Sequence, residues 1–538
     1  MNDGTRNGSL GSKTLGPAVR HRVSMSASDG STVGGVPPEV VTFLSGKGGR
    51  SLIIKGGAGT GKTTFGLELL ERVGQANRSY YLSTRIGDEA LYRQFPWLKT
   101  TEMRTRILDA AKLFLDAISS SGKPREPELP EPEQRKARAG REVLASFGQE
   151  RGPPTRVDRT HLQALLKRSP MPEVENVYNR IERALPEKSL LIIDSLEGVT
   201  HKYGLEMEEF VMALQKDLVE GSSTDVVMIL EKPEAGGIEY LVDGLISIQR
   251  EELDERRVRH LRLEKLRATN IGRARYAVTL TGGRFGALGI TNGSSATSPT
   301  GAWRPLADPE RHYSTGIPDF DALLGGGLRR GSFNAFEVDV NVGIDDYYML
   351  FTPTFLNFLS QGRGIIAVLA AGESPEKLRD TLVRHIPPNQ FDTRVRIPDY
   401  TANETEDPYI LPMARFGRDE AMKAMVTAER AVAGPDRKPF MEYTAFDTFE
   451  SLMGDQVAIR MYFQAIARTK HVGNLGIGLL KPGLLVSSEI LNMMDTYFRI
   501  INVDNAPCVY GIRPRTTIYA ISPDPEKGMP HAVLTPIV

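Results

Sequence analysis

The sequence predicts an α/β protein of two tandem units, each a mostly parallel sheet with helices on both faces. Three observations predict it. In both halves short β-branched strands alternate with helical segments, the pattern of strands buried on two sides. A glycine-rich loop stands between an apolar strand and an amphipathic helix, an arrangement suited to phosphate. A stretch of linker composition, GITNGSSATSPTG at residues 289–301, divides the chain into a unit at 36–288 and a unit at 302–538.

The elements follow in order. Residues 1–35 are rich in Gly, Ser, Thr and Asn and lack an apolar core, so they read as a disordered tail rather than a signal peptide. RSLIIK then gives a strand, GGAGTGKT a loop and TFGLELLER a helix, with SYYLST (79–84) as the next strand. Around residues 120–155, prolines and mixed charges (KPREPELPEPEQRKARAGRE) predict a disordered, solvated insertion with a short helix near Arg138–Ala145. SLLIIDSLEGV supplies a buried strand that ends in Asp194.

The second unit repeats the plan. GSFNAFEVDVNVGIDDYYMLF reads as strand, loop and helix, GIIAVLAA (364–371) as the next strand, and MEYTAFDTFESL as a strand ending in Asp447. Lys62 and Asp194 are 132 positions apart; Ile344, which matches Lys62, and Asp447 are 103 apart. The difference is close to the length of the insertion, as duplication with one insertion would give.

Composition bounds the function. The chain has 538 residues, 67 basic and 67 acidic, and 40% hydrophobic residues, enough for more than one core. Balanced charge argues against nucleic-acid binding through bulk electrostatics. The single cysteine, Cys508, excludes an internal disulfide or a cysteine-built zinc site and suits a reducing compartment. The eight histidines show no metal-ligand spacing. No run of 18 apolar residues predicts a membrane span, and the cytoplasm is the default location.

Gly56-Gly57-Ala58-Gly59-Thr60-Gly61-Lys62-Thr63, followed by Thr64, satisfies G-x-x-x-x-G-K-[ST]. Glycines let main-chain N–H groups approach phosphate oxygens, Lys62 supplies a point charge to the β and γ phosphates, and Thr63 offers a hydroxyl to Mg²⁺. A carboxylate at the end of the LLIID strand, Asp194, stands beside such a loop and holds the magnesium shell through water. The expected ligands are therefore ATP and Mg²⁺.

These residues resemble the RecA/KaiC group of P-loop ATPases in its double-domain form, and both units are expected to be RecA/KaiC-like. GGAGTGKTTF, YYLSTR, LYRQFPWL (91–98) and LLIIDSLEG resemble the P-loop domain of the archaeal gas-vesicle family GvpD. STGIPDFDALLGGGLRRGS (314–332) and AGESPEKLRD (371–380) resemble the opening and the glutamate segment of a KaiC domain. The resemblance implies a homo-oligomer with nucleotide at subunit interfaces. There Lys265 and Arg267 of LRLEKLRATN would stabilise the transferred phosphoryl of the neighbouring subunit. It also implies a glutamate base after the second strand, but Thr84 and Arg85 occupy that place. Asp88 and Glu89 follow as substitutes, and Arg85 is expected to sense nucleotide or to pair with a neighbour. Without a well-placed base, hydrolysis is expected to be weak.

Gly343-Ile344-Asp345 replaces Gly-Lys-Thr in the second unit, which removes the phosphate-binding cation and predicts a pseudo-ATPase domain. The segment Arg250–Arg275 is dense in cations, with five carboxylates interleaved, and reads as a charged hairpin, a subunit interface or a nucleic-acid patch. The leading expectation is a regulatory ATPase read by a partner protein. The alternatives are a RecA-like DNA-handling ATPase, disfavoured by the short acidic EKPEAGGIEY after VVMIL, and a non-hydrolysing nucleotide-gated scaffold.

Overall fold

A computed structural model describes residues 35–75, 77–120, 156–289, 301–401, 404–484 and 487–538. Residues 1–34 of the expected tail, 121–155 of the insertion with its short helix, and 290–300 of the linker lie outside these. Gly35, the last residue of the expected tail, instead pairs with Ala287 at a sheet edge.

The first half is one nine-stranded sheet. Its strands are β1 (Ser51–Lys55), β2 (Ser79–Ser83), β3 (Ile107–Asp109), β4 (Leu190–Asp194), β5 (Asp225–Ile229), β6 (Gly244–Leu253), β7 (Arg256–Leu266), β8 (Arg275–Thr279) and β9 (Gly286–Ala287). Their order is β3-β2-β4-β5-β1-β6-β7-β8-β9. The first six positions run parallel, and β7 to β9 continue antiparallel. Strand alternation explains the two layers. Leu52 and Ile54 of β1 enter one apolar cluster with Phe65, Leu69 and Tyr81, whereas Ile53 enters another with Val174, Val177 and Tyr178. Each such side chain contributes about 1.5–3 kcal/mol on burial.

A two-stranded ribbon, β10 (His312–Tyr313) with β11 (Leu328–Arg329), precedes the second sheet. That sheet comprises β12 (Phe333–Val338), β13 (Ile365–Val368), β14 (Val395–Asp399), β15 (Ile410–Pro412), β16 (Met441–Ala445), β17 (Leu475–Leu480), β18 (Thr496–Val503), β19 (Ala506–Arg513), β20 (Tyr519–Pro523) and β21 (Ala532–Pro536). Its order, β15-β14-β13-β16-β17-β12-β18-β19-β20-β21, repeats the first sheet strand for strand, with β15 added at one edge.

The register equates individual positions. Ile54 pairs with Ile229, which pairs with Asp194. Phe336 pairs with Leu479, which pairs with Ala445. Lys62 and Ile344 each open the helix eight residues after Ile54 and Phe336. Ile344 therefore matches Lys62 as expected, but Ala445, not Asp447, matches Asp194. Asp447 lies two residues past the strand, in the first turn of the helix Phe446–Met453.

The two sheets meet through their antiparallel hairpins. Each hairpin turns on two residues with positive φ, Asp254-Glu255 (48° and 58°) and Asp504-Asn505 (48° and 60°), as two-residue turns matched to strand twist require. Each turn aspartate is held by the other half. Asp254 accepts hydrogen bonds from Tyr510 and from Arg499 (3.0 Å); Asp504 bonds His260 and pairs with Arg275 (3.1 Å). Val258, Ala277 and Leu288 pack with Ile501, Val503 and Cys508 between them. Among the described residues no helix is long and apolar enough to cross a membrane.

Candidate functional site

The loop between β1 and the helix Lys62–Arg72 has no room for side chains at its turning points. A Cβ on Gly56 would stand 2.3 Å from the Ile248 carbonyl oxygen. One on Gly61, whose φ is +105°, would stand 2.8 Å from Leu280 Cδ2. Ala58 and Gly59 form the exposed tip, and Thr60 folds under it, donating to the Gly57 carbonyl at 3.0 Å. Lys62 is buried and donates to the carbonyls of Gly56 and Gly57, both at 2.7 Å. Burial pulls its ammonium pKa down, while the charges of Asp194 and Glu197 act in the opposite direction.

Asp194 closes the site from β4. The Thr63 hydroxyl donates to its Oδ2 at 2.7 Å, and the Tyr81 hydroxyl donates to the same oxygen. Burial first, and the Asp194 charge next, hold the Tyr81 phenol well above its ordinary pKa, so it remains a donor. Loop, helix start and β4 thus bring Lys62, Thr63 and Asp194 together, although Thr63 and Asp194 are 131 positions apart.

The other sequence candidates fall elsewhere. Thr84 serves the main chain: its hydroxyl donates to the Asp194 and Ser195 carbonyls, each at 3.0 Å, and accepts from Ser195 N–H at 2.8 Å. Arg85 pairs with Glu231. Glu89 is exposed, in a helix (Asp88–Gln94) whose first residue leans on Asp109 at the end of β3. No contact joins Glu89 to Lys62, Thr63 or Asp194 among the described residues.

Lys265, on β7, and Arg267, just past it, stand toward the end of the strands away from the loop. Lys265 pairs with Leu245, near the start of β6, and donates to the carbonyls of Val242 (2.6 Å) and Glu239 (3.1 Å). Arg267 is exposed and pairs with Asp243 at 3.2 Å. From Lys265 to Arg259, level with the loop, the strand covers about 20 Å. Neither cation reaches the loop of its own chain.

Arg259 does, and sequence reasoning passed over it. Its Nη2 donates to the Gly59 carbonyl at 3.3 Å, while its buried Nε and Nη1 have no partner among the described residues. The residue is only 6% exposed. A guanidinium buried with open donors beside a glycine cradle fits an anionic guest. The alternation of β7 was the available signal, since Arg259 shares a face with Leu261 and Leu263, the face toward the loop helix. Trp97 donates to the Gly283 carbonyl at 3.1 Å under the Arg284 guanidinium.

In the second half, the helix Ile344–Ser360 starts without a cation. Asp346 accepts the Gly343 N–H at 3.0 Å, closing the helix start with its own carboxylate. Asp345 stands where Thr63 does and pairs with Lys377 at 2.7 Å. Glu373 is bonded by the hydroxyls of Tyr347 (2.8 Å) and Tyr443 (2.9 Å) and by the Ala370 N–H (2.7 Å).

Fold and site define a P-loop ATPase domain of the KaiC type in the first half, followed by a domain of the same strand order. Residues 40–119 match the family described as GvpD gas vesicle protein, P-loop domain, residues 155–285 the ATPase family KaiC, and residues 302–521 the family GvpD basic region 2. The chain is homologous to GvpD proteins over most of its length. It is 26% identical to protein GvpD2 of Halobacterium salinarum (strain ATCC 700922 / JCM 11081 / NRC-1) over 522 residues, and 25% identical to protein GvpD1 of the same organism over 567. Each alignment covers 93% of this chain and 96% of the relative.

Proposed function

We propose that the chain is a regulatory ATPase that binds one Mg-ATP per polypeptide at residues 56–64 and hydrolyses it slowly. The observation that carries this reading is the Thr63–Asp194 hydrogen bond beside Lys62. It sets a hydroxyl and a carboxylate together next to the buried ammonium. Mg²⁺, when bound, would be held by Thr63 and, through water, by Asp194, and would offset phosphate charge. Lys62 would exchange the Gly56 and Gly57 carbonyls for phosphate oxygens, and Arg259 would add a second cation from within the chain. Slow turnover follows from Thr84 and Arg85, which replace carboxylates and are engaged elsewhere.

The second unit, divided from the first at 289–301, acts as a pseudo-ATPase domain in this reading. Ile344, Asp345 and Ala445 stand in place of Lys62, Thr63 and Asp194, so that site lacks the cation and the hydroxyl–carboxylate pair of the first. Lys265 and Arg267 act across a subunit interface in a homo-oligomer, a role supported by their engaging Glu239, Val242 and Asp243 rather than their own loop. The nucleotide state then biases a conformation that a partner protein reads, and similarity to the family described as GvpD gas vesicle protein supports gas-vesicle regulation as the process.

Calorimetric titration of Mg-ATP into the full chain tests the reading. One site per chain is expected, abolished by Lys62→Ala and unchanged by Ile344→Ala. No binding, or a second site that survives Lys62→Ala, would overturn it.

A further inference from the structure

Glu197 lies in the first turn of the helix Leu196–Tyr203, three residues past Asp194. Its Oε1 accepts the Glu231 N–H at 2.8 Å, just beyond the end of β5. The next residue, Lys232, accepts the Gly56 N–H through its carbonyl at 3.3 Å. The carboxylate is therefore pinned between the Asp194 strand end and the first glycine of the loop, and its charge is felt at Lys62. Its Oε2 is buried and without a hydrogen-bond partner among the described residues. Leaving such an oxygen unsatisfied costs about 1–3 kcal/mol, so a fixed carboxylate with one idle oxygen is poised to accept a proton. A cleft of about 850 Å³, lined by Thr84, Arg85, Glu197, Lys202, Glu231 and Lys232, opens beside this carboxylate.

We infer that Glu197 is the base that activates water for ATP hydrolysis, in the place left open by Thr84 and Arg85; this rests on the nucleotide reading above. The water oxygen bonds to the γ phosphorus as the bond from that phosphorus to the β–γ bridging oxygen breaks. The water proton passes to Glu197 Oε2, the bridging oxygen keeps the bonding pair as ADP departs, and inorganic phosphate is released. Glu89, exposed on the helix Asp88–Gln94, has no part in the step.

Three measurements on the full chain test this: phosphate release, calorimetric Mg-ATP affinity, and chromatography of the nucleotide retained after incubation with ATP. Glu197→Gln keeps an amide oxygen for the Glu231 N–H. It is expected to slow turnover by at least about 100-fold, to hold affinity within about threefold, and to retain ATP where the wild type retains ADP. Glu89→Gln should turn over within about twofold of wild type. Turnover by Glu197→Gln within about threefold of wild type overturns the inference, as does a wild type that binds ATP and never releases phosphate. A wild type that does not bind ATP sinks the nucleotide reading itself. Should Glu197→Gln lose its circular-dichroism signature of folding, Glu197→Asp decides: a drop of about tenfold or more at constant affinity supports the role, and unchanged turnover ends it.

Discussion

The Thr63 hydroxyl donates to Asp194 Oδ2 at 2.7 Å, joining the start of a helix to the end of a strand. In the nucleotide reading this pair is where magnesium enters. Asp194→Asn should keep ATP binding through Lys62 and the loop but lose its metal dependence. Titrations with and without Mg²⁺ should differ by about tenfold or more for wild type and by no more than about twofold for the variant.

Arg259 sets stability against function. Its buried guanidinium lacks partners on Nε and Nη1. Arg259→Leu removes those unsatisfied donors and should raise unfolding free energy by about 1–3 kcal/mol in urea titrations. The same change should weaken Mg-ATP binding by about tenfold. A variant that is destabilised and binds normally would mean that Arg259 is structural only.

Lys265 and Arg267 make no contact with their own loop among the described residues, so their loss should spare binding and strike turnover. The double variant Lys265→Ala, Arg267→Ala should hold ATP affinity within about threefold while turnover falls by about a thousandfold, the range for cations supplied in trans. Light scattering with ATP should show wild type assembling. A monomer at every nucleotide concentration would remove the role in trans.

Glu442 makes stability depend on pH. It is buried on β16, accepts from Thr469 at 3.0 Å, and has Arg468 at 3.9 Å, with Glu429 on the far side of that arginine. Burial pushes its carboxyl up to about 7 from 4.5, outweighing the Arg468 charge. The fold binds this proton more tightly than the unfolded chain, so the contribution is complete below about pH 4.5 and is lost as pH rises through about 7. Asp225, pushed up to about 7 by burial despite Lys188, acts with the same sign. Wild type should lose stability between about pH 5 and 8, and Glu442→Gln should lose up to about 3 kcal/mol less over that range. Parallel pH profiles would refute the assignment.

The loop and Asp194 were legible because each is a contiguous string whose residue types answer to one chemistry. The mostly parallel sheets followed from the alternation of β-branched segments with helices, and Ile344 matched Lys62 because its helix starts at the same offset from its strand. Asp447 is like Asp194 in residue type but not in position, since pairing of Ala445 with Leu479 sets the register. Arg259 lay hidden in a run of arginines; only antiparallel pairing with Arg250 brings it level with the loop. Glu197 looked like an ordinary first-turn acid, since nothing in the sequence announces that Glu231 N–H receives it.

The reciprocal grip of Asp254 on Tyr510 and of Asp504 on His260 has the form of a self-complementary dimer contact enclosed in one polypeptide; Tyr510 follows His260, and Asp504 follows Asp254, by the same 250 positions. Contacts of this kind saturate on formation, because each patch has already met its counterpart. A ring or filament of this molecule must therefore recruit surface away from the hairpin turns, and a charge reversal at Asp254 would be felt within the molecule rather than between neighbours.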